Sequence, residues 1–306
     1  MTREVRVAAL VGPTAVGKTE TSIAVAERLG AEIVSIDSMQ IYRGMDIGTA
    51  KASPEQRARV PHHLLDDFDA TSEVSVAEYQ SRARAAIRDI SARGRLPLLV
   101  GGSGLYFRAV VDDLEFPPRD LSVRRSLEDE IEDLGPEALH GRLAEMDPAA
   151  AGRMEPTNAR RIVRALEVIE ITGRRFSDNR SWESFDSVYG LKVAGLTLSR
   201  ERLFERIEKR VDDMLVGGLV AEARTLERMG MSRTARQALG YRQILDLDRD
   251  ADVSQLRDEI VRATKRFARR QESWFKADPR IVWFQADAPD LSDELALFFE
   301  SGTGEA

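Results

Sequence analysis

Residues 12–19 form the motif that most constrains the fold of this chain, a glycine-rich turn between an apolar strand and a helix. The segment 5–11 reads VRVAALV and predicts a short strand, and the spacing of apolar residues over 18–29 predicts a helix. The turn matches the pattern G-x-x-x-x-G-K-[ST] in Gly12, Pro13, Thr14, Ala15, Val16, Gly17, Lys18 and Thr19. Because the backbone N–H groups of such a turn surround a phosphate, the motif predicts a P-loop.

The side chains of this phosphate loop indicate a diphosphate or triphosphate ligand with a metal ion. Lys18 offers an ammonium to the terminal phosphate, and the hydroxyl of Thr19 can bind Mg²⁺. The helix N-terminus adds partial positive charge at the same place. The motif leaves open whether the phosphate is transferred, is hydrolysed or leaves.

Strand and helix patterns alternate in the first third of the chain and again towards its end. Apolar runs predict further strands at 31–37, 96–102, 188–199 and 280–284. Amphipathic spacing predicts further helices at 74–92, 121–134, 136–146, 157–172, 200–215, 216–229, 252–276 and 290–300, with Thr157 or Asn158 as the cap of the helix at 157–172. This alternation is typical of an open α/β fold, so we predict a P-loop NTPase-like core with a mostly parallel sheet.

The strand signal is lost in the middle of the chain, where only helical patterns occur. We therefore predict an all-helical insertion at 115–190. The catalytic core is then discontinuous and comprises 1–114 and 191–306.

Composition excludes several kinds of chemistry. The 306 residues contain no cysteine, which rules out disulfides, thiolate zinc sites, iron–sulfur clusters and a cysteine nucleophile. Only His62, His63 and His140 supply imidazoles, and their spacing does not fit a metal site. The N-terminus lacks a signal peptide pattern and no window is apolar enough for a membrane span, so we expect a cytoplasmic protein. We also expect a monomer, because no coiled-coil seam is present.

The net charge of −7 hides an uneven distribution of charge along the chain. The segment 112–147 contains twelve acidic residues and four arginines, whereas two other stretches are locally basic. Their basic residues are Arg153, Arg160, Arg161, Arg164, Arg174, Arg175 and Arg180 in the first stretch, and Arg262, Lys265, Arg266, Arg269, Arg270 and Lys276 in the second. An acidic chain with such stretches can still bind RNA. Spacing alone, however, favours a solvated helix face over an RNA site for the second stretch.

Asp37 is the first candidate for acid–base chemistry. We expect it to close the strand at 31–37 and therefore to lie at the carboxyl edge of the sheet, near the phosphate loop. A carboxylate at that place can act as a general base or as an indirect partner of a metal ion. The alternative is a structural role, in which Asp37 caps the following turn.

Several segments beyond the phosphate loop resemble the tRNA dimethylallyltransferase family, also called tRNA isopentenyltransferase or IPP transferase. The most specific segment is IDSMQIYRGMDIGTAK at 36–51. The resemblance continues through PHHLLD, GRLPLLVGGSGLYFRAVV, NARRIVRALEVIEITG, RERLFERIEKRVDDML, QALGYRQ and KRFARRQESWFK, and so covers nearly the whole chain.

The resemblance implies transfer of a dimethylallyl group from dimethylallyl diphosphate to the N6 amine of an adenosine. This adenosine lies 3′ to the anticodon of tRNAs that read codons beginning with U. Diphosphate would then be the leaving group, held by the phosphate loop and by Mg²⁺ at Thr19. By resemblance, Asp37 accepts the proton of the amine, and Arg210 acts with Thr19 on the diphosphate.

The resemblance also implies a tRNA-binding surface, onto which the target adenosine is flipped out of its stack. Its residues are Asp37, Ser38, Met39, Gln40, Ser103, Arg124, Arg160, Arg161, Ile162, Val163, Arg164, Gln237, Gly240, Tyr241 and Arg242. The helical insertion would clasp the anticodon stem-loop, and the helix that contains RRQESWFK would support its other side.

Three other functions compete with this interpretation. A P-loop kinase for a small metabolite explains 12–19 but leaves the motif at 36–51 unexplained. An adenylate isopentenyltransferase performs the same chemistry on a free nucleotide, which needs no helical insertion with Arg160, Arg161 and Arg164. A non-catalytic RNA-binding protein leaves the phosphate loop and Asp37 without a role.

Overall fold

The computed structural model describes residues 5–179, 184–247 and 253–301. These residues form two compact units, of which the first lies within Met1–Asp112 and Asp186–Ala306 and the second is Asp113–Phe185. Residues 186–190 join the first unit because Ser187 bridges Asp112 and Gly190 already belongs to a strand. Arg180, part of the first basic stretch, lies outside the described residues.

The first unit is built on a six-stranded parallel sheet, which confirms the predicted α/β class. The strands are β1 Arg6–Val11, β2 Ala31–Ser35, β3 His62–His63, β4 Leu96–Gly101, β5 Gly190–Thr197 and β6 Ile281–Gln285. Their order across the sheet is β3-β2-β4-β1-β5-β6. Since all strands run in one direction, the loops that follow β1, β2 and β4 meet at one edge of the sheet.

Helices occupy most of the remaining described residues. They are α1 Lys18–Leu29, α2 Pro54–Arg59, α3 Val76–Ala92, α4 Gly104–Val111, α5 Leu121–Leu134, α6 Pro136–Met146, α7 Pro148–Ala151, α8 Ala159–Thr172, α9 Arg200–Val216, α10 Leu219–Met229, α11 Arg233–Arg236, α12 Tyr241–Asp246, α13 Val253–Lys276 and α14 Leu291–Glu300. The long helices match the predicted ranges closely, whereas the short ones lack enough turns to show a period. Among the described residues, no helix combines the length and apolarity needed to cross a bilayer.

The sheet has an apolar cluster on each face, because consecutive strand residues point to opposite sides. In β1, Val7, Ala9 and Val11 belong to the cluster that contains residues of α3, α4 and α13. Ala8 and Leu10 belong to the cluster that contains residues of α1 and α14. Burial on both faces explains why the strands read as continuous apolar runs.

The second unit is helical in its described part and has a core of its own. Residues of α5, α6 and α8, among them Leu127, Leu143 and Leu166, form this core. Asn158 caps α8 by accepting a hydrogen bond from the N–H of Arg161, which is one of the two caps considered from the sequence.

A buried charge network lies where the chain leaves the first unit. The Asp112 carboxylate accepts hydrogen bonds from Arg108 Nε and Arg280 Nη1, both at 2.5 Å. Only 2% of the Asp112 side chain is exposed, and Arg280 also pairs with the buried Asp278 at 2.6 Å. The Asp112 carboxylate therefore balances two guanidinium groups in a poorly solvated place.

Replacing Asp112 by asparagine should lower the free energy of unfolding by about 3–5 kcal/mol, because the Arg108 and Arg280 guanidinium groups lose a shared buried counter-charge. Urea unfolding of the full chain measures the change. Asp69→Asn is the matched control, since Asp69 pairs with Arg43 on an exposed surface and should contribute about 0–1 kcal/mol. Equal effects of the two substitutions would contradict this account.

Candidate active site

A cleft of about 550 Å³ opens at the carboxyl ends of β1, β2 and β4. The loops after these strands form its floor, and α9 and α13 contribute its remaining walls. Side chains that line it include Lys18, Thr19, Asp37, Gln40, Arg206, Arg210 and Gln271. The fold thus brings the phosphate loop and Asp37 next to residues of α9 and α13, which lie far from them in the sequence.

The phosphate loop has a backbone that requires glycine at its first position. Gly12 has a φ of +147°, and a Cβ at this residue would lie 2.8 Å from the carbonyl oxygen of Leu196. Helix α1 begins at Lys18, so its unpaired N-terminal amides lie at the loop. This geometry suits the predicted phosphate cradle.

The Lys18 ammonium bridges the phosphate loop. Its Nζ donates hydrogen bonds to the carbonyl oxygens of Gly12, at 2.9 Å, and Pro13, at 2.7 Å. The pKa of Lys18 is lowered to about 7, chiefly by burial and also by the nearby Arg210, while the Asp37 carboxylate acts in the opposite direction. An anionic ligand would therefore restore the full charge of this ammonium.

Two arginines one turn apart on α9 line the same cleft. Arg206 Nη1 donates a hydrogen bond to the carbonyl oxygen of Val16 at 2.9 Å and so supports the phosphate loop. Burial lowers the pKa of Arg210, and the Asp37 carboxylate partly offsets this effect. Resemblance predicted Arg210 but not Arg206, which lies four residues earlier on the same helix face, and this spacing was the available signal.

Asp37 lies two residues beyond the strand that it was expected to close, since β2 ends at Ser35. Its Oδ1 accepts a hydrogen bond from the N–H of Met39 at 2.9 Å. The same side chain lines the cleft with Lys18, Thr19 and Arg210. Asp37 therefore caps the turn and lies in the cleft, so the two roles considered from the sequence are compatible.

The residues after Asp37 are held by neighbouring loops. The N–H of Ser38 donates to Ser103 Oγ at 3.3 Å, which connects the loops after β2 and β4. Gln40 accepts a hydrogen bond from Ser35 Oγ and donates one to the carbonyl oxygen of Thr49 at 3.1 Å. Residues 37–40 and Ser103 thus lie together, as a shared binding surface requires.

Gln271 on α13 is a further cleft residue that the sequence did not predict as part of the site. Its Oε1 accepts a hydrogen bond from the N–H of Thr14 at 2.9 Å, and its Nε2 donates to the carbonyl oxygen of Gly102 at 2.8 Å. The amide thereby joins the phosphate loop to the loop after β4. The signal was an amide on a helix face that packs mainly through apolar residues such as Phe267 and Trp274.

The segment 237–242 presents residues of two kinds. Gln237 and Arg242 are exposed, and Arg242 forms an ion pair with Asp246 at 3.3 Å. Tyr241 is fully buried and Gly240 is also buried. Gln237 and Arg242 therefore present polar side chains to solvent, and Tyr241 supports the segment from within.

The second unit contains the remaining candidate tRNA residues, all on α5 and α8. Arg160 and Arg161 are exposed, whereas Ile162 and Val163 are buried in the unit's own core. Arg164 donates hydrogen bonds to the carbonyl oxygens of Pro117 and Pro118 and forms an ion pair with the buried Glu167. Arg124 pairs with Glu128 at 3.0 Å and lies 3.5 Å from Glu167. Arg160 and Arg161 are thus the exposed cations of this set.

The three histidine rings contact three different partners. His62 Nδ1 lies 2.7 Å from the Val60 carbonyl oxygen, His63 Nε2 lies 2.7 Å from Glu32, and His140 Nε2 lies 3.1 Å from the Ala151 carbonyl oxygen. Within 5–179, 184–247 and 253–301, no group of three or more His, Asp or Glu side chains could hold a metal ion.

Comparisons with known proteins identify the family of this chain. The family described as IPP transferase matches residues 40–278. The tRNA dimethylallyltransferase of Streptomyces coelicolor is 55% identical over 297 residues, which cover 95% of each chain. The enzyme of the same name from Thermobifida fusca is 55% identical over 295 residues and covers 94% of this chain and 92% of its own.

Solved structures similar to this chain are also tRNA-modifying prenyltransferases. The tRNA isopentenylpyrophosphate transferase of Bacillus halodurans has a TM-score of 0.71 and 40% identity and covers 97% of both chains. A eukaryotic dimethylallyltransferase described as acting on tRNA has a TM-score of 0.79 and 26% identity, over 92% of this chain and 74% of that one. These matches support the tRNA-modifying enzyme over the free-nucleotide enzyme and the kinase. The chain belongs to the IPP transferase family of tRNA-modifying prenyltransferases.

Proposed function

We propose that this enzyme transfers a dimethylallyl group from dimethylallyl diphosphate to the N6 amine of the adenosine 3′ to the anticodon. The acceptors are tRNAs that read codons beginning with U, and the products are N6-isopentenyladenosine and diphosphate. The main support is the presence of a carboxylate, Asp37, beside two cations, Lys18 and Arg210, in the cleft of the phosphate loop. One part of the cleft suits an anionic leaving group and another suits a proton acceptor.

The donor would bind with its diphosphate in the phosphate loop, along residues 12–19. Negative charge accumulates on the diphosphate as the allylic C–O bond breaks. The loop amides, the Lys18 ammonium and the Arg210 guanidinium would stabilise this charge, and such stabilisation is strong in a partly buried cleft. Gln271 and Arg206 would keep the loop in its binding conformation.

Mg²⁺ fits the oxygen ligands that the cleft offers. Thr19 contributes a hydroxyl, and a magnesium ion in such sites takes its other ligands from phosphate oxygens and water. Bound between Thr19 and the diphosphate, the ion would neutralise part of the leaving group's charge.

The acceptor adenine must leave the base stack to reach the cleft. Asp37 would accept a hydrogen bond from the N6 amine and then take its proton as the new C–N bond forms, so that the proton finally passes to solvent. Gln40 lines the cleft beside this carboxylate, and the neighbouring Ser38, Met39 and Ser103 are joined to the same loop by hydrogen bonds. These four residues would contact the target nucleotide.

Phosphate contacts would hold the rest of the anticodon stem-loop. Arg160 and Arg161 of the second unit and the exposed basic side chains of α13 are among the cations that would make these contacts. We further propose that the enzyme acts as a monomer in the cytoplasm, where its tRNA substrate is found.

A transfer assay tests the proposed function. Purified protein, Mg²⁺ and allyl-labelled dimethylallyl diphosphate are incubated with an anticodon stem-loop that contains the target adenosine, with the same loop containing guanosine, or with AMP. We expect label only in the adenosine stem-loop. Label in AMP would assign a free-nucleotide enzyme, and turnover of ATP without label transfer would assign a kinase.

Diphosphate binding should weaken as the pH rises above 7. The pKa of Lys18 is about 7 in the free protein, so the side chain is charged below pH 7 and largely neutral at pH 8. Binding of an anion raises this pKa and therefore takes up a proton. The dissociation constant should increase by up to about tenfold per pH unit above 7.

Calorimetry at pH 8 in buffers of different ionisation enthalpy measures this proton uptake, with magnesium held constant. Lys18→Arg is the control, because arginine stays charged while the titration of diphosphate itself is the same for both proteins. Equal proton uptake by the unaltered enzyme and by Lys18→Arg would show that a group other than Lys18 takes up the proton.

Replacing Arg160 and Arg161 by alanine should weaken stem-loop binding and leave diphosphate affinity unchanged, because both side chains are exposed cations of the second unit. Two lost phosphate contacts would reduce the slope of log K against log salt by about two. Binding titrations between low and high salt measure the slope. Arg142→Ala removes an arginine of the same unit that pairs with Glu130, and we expect an unchanged slope for it.

A further inference from the structure

Glu222 on α10 makes a set of hydrogen bonds outside the phosphate loop and the Asp37 turn. Its carboxylate accepts from the backbone N–H groups of Asp46 at 3.1 Å, Ile47 at 3.0 Å and Gly48 at 3.2 Å. The Tyr241 hydroxyl donates to the same carboxylate at 2.6 Å. A charged acceptor with this many donors holds a loop far more firmly than a single neutral bond would.

Tyr241 is packed tightly against the same loop. A Cβ on Gly48 would lie 2.3 Å from the Tyr241 ring, so this position accepts only glycine. Burial raises the pKa of Tyr241, and the Glu222 carboxylate raises it further, so the hydroxyl remains a donor. Residues 46–48 are therefore held by one side chain from α10 and one from α12.

The held loop leads directly into the wall of the cleft. Thr49 and Ala50 follow it and line the cleft, and Ala50 has a φ of +46°. Gln40 donates to the carbonyl oxygen of Thr49 at 3.1 Å, which ties this wall to the loop of Asp37. Hydrogen bonds thus connect Tyr241 to Glu222 and Glu222 to residues 46–48. The backbone continues to Thr49, and a further hydrogen bond connects Thr49 to Gln40 on the Asp37 side of the cleft.

We propose that Glu222 and Tyr241 are positioning residues that fix the acceptor side of the cleft. The inference rests on the proposed function, in which the adenine binds beside Asp37 and the diphosphate binds at residues 12–19. Gln237 and Arg242 are exposed in the segment that contains Tyr241. The hydrogen bond between Tyr241 and Glu222 therefore also fixes the position of this proposed tRNA-binding segment relative to the acceptor side of the cleft. This role accounts for a buried tyrosine within a segment that resembles a tRNA-binding motif.

Steady-state kinetics of Tyr241→Phe and Glu222→Gln test the proposal. Tyr241→Phe removes one hydroxyl and keeps the packing, and Glu222→Gln removes the charge that three backbone N–H groups share. We expect KM for the adenosine stem-loop to rise about tenfold in Tyr241→Phe and more in Glu222→Gln, with KM for dimethylallyl diphosphate unchanged. Glu227→Gln on the same helix is the control, because Glu227 pairs with Arg224 and Arg236 instead.

Two kinetic outcomes would overturn the proposal. Equal increases in both KM values would indicate general loosening of the fold, and unchanged KM values in both variants would show that the contacts do not position the acceptor. Hydrogen exchange of the amides of residues 46–48 gives a readout that needs no chemistry, and we expect faster exchange in Tyr241→Phe. Absence of transfer by the unaltered enzyme would instead refute the proposed function, and unchanged exchange would refute the positioning role by itself.

Discussion

Replacing Asp37 by asparagine is expected to lower the rate of prenyl transfer by about 10²–10⁴-fold, the usual contribution of a positioned general base. Asparagine can still accept the hydrogen bond from the N–H of Met39, so the turn after β2 is preserved. The carboxamide cannot accept the amine proton, however. A loss of kcat with little change in either KM would therefore measure the proton-transfer role alone.

Single-turnover transfer to the adenosine stem-loop measures this rate. Asp69→Asn is the matched control, because it makes the same chemical change in an exposed carboxylate that pairs with Arg43. The thermal midpoint of Asp37→Asn should stay close to that of the unaltered enzyme. A nearly unchanged rate would show that the amine proton leaves by another route.

Replacing Arg210 by glutamine is expected to lower kcat by about 10²–10³-fold, the cost of removing one preorganised donor from a developing anion. The side chain lines the cleft from α9, where burial lowers its pKa, so its charge acts in a poorly solvated place. The substitution has a second expected effect. Because Arg210 contributes to the lowered pKa of Lys18, its removal should raise that pKa and move the pH dependence of diphosphate binding upward.

Transfer rates and diphosphate binding at several pH values measure both effects. Lys209→Gln is the control, since it removes a positive charge from the neighbouring residue, whose side chain is 76% exposed and pairs with Asp213. A similar loss of rate in the two variants would mean that total charge, rather than the position of Arg210, determines the rate.

The sequence predicted the order and type of the long elements. Each long element shows a recognisable apolar pattern in the sequence, because it buries one face or both. The long helices have a helical period, and the strands β1, β2, β4, β5 and β6 are apolar runs. The two-residue strand β3 and the helices α2, α4, α7, α11 and α12 were not predicted. Such short elements depend on contacts with the rest of the fold rather than on a repeating pattern.

The sequence by itself also determined the phosphate loop, because its glycines, Lys18 and Thr19 are consecutive and their spacing fixes their geometry. Recognition of Asp37 and Arg210 as partners required resemblance to a family. Only the tertiary structure decided that Arg206 and Gln271 hold the phosphate loop and that Glu222 and Tyr241 hold residues 46–48. These contacts join residues that are distant along the chain, and local sequence patterns carry no information about which distant elements will meet.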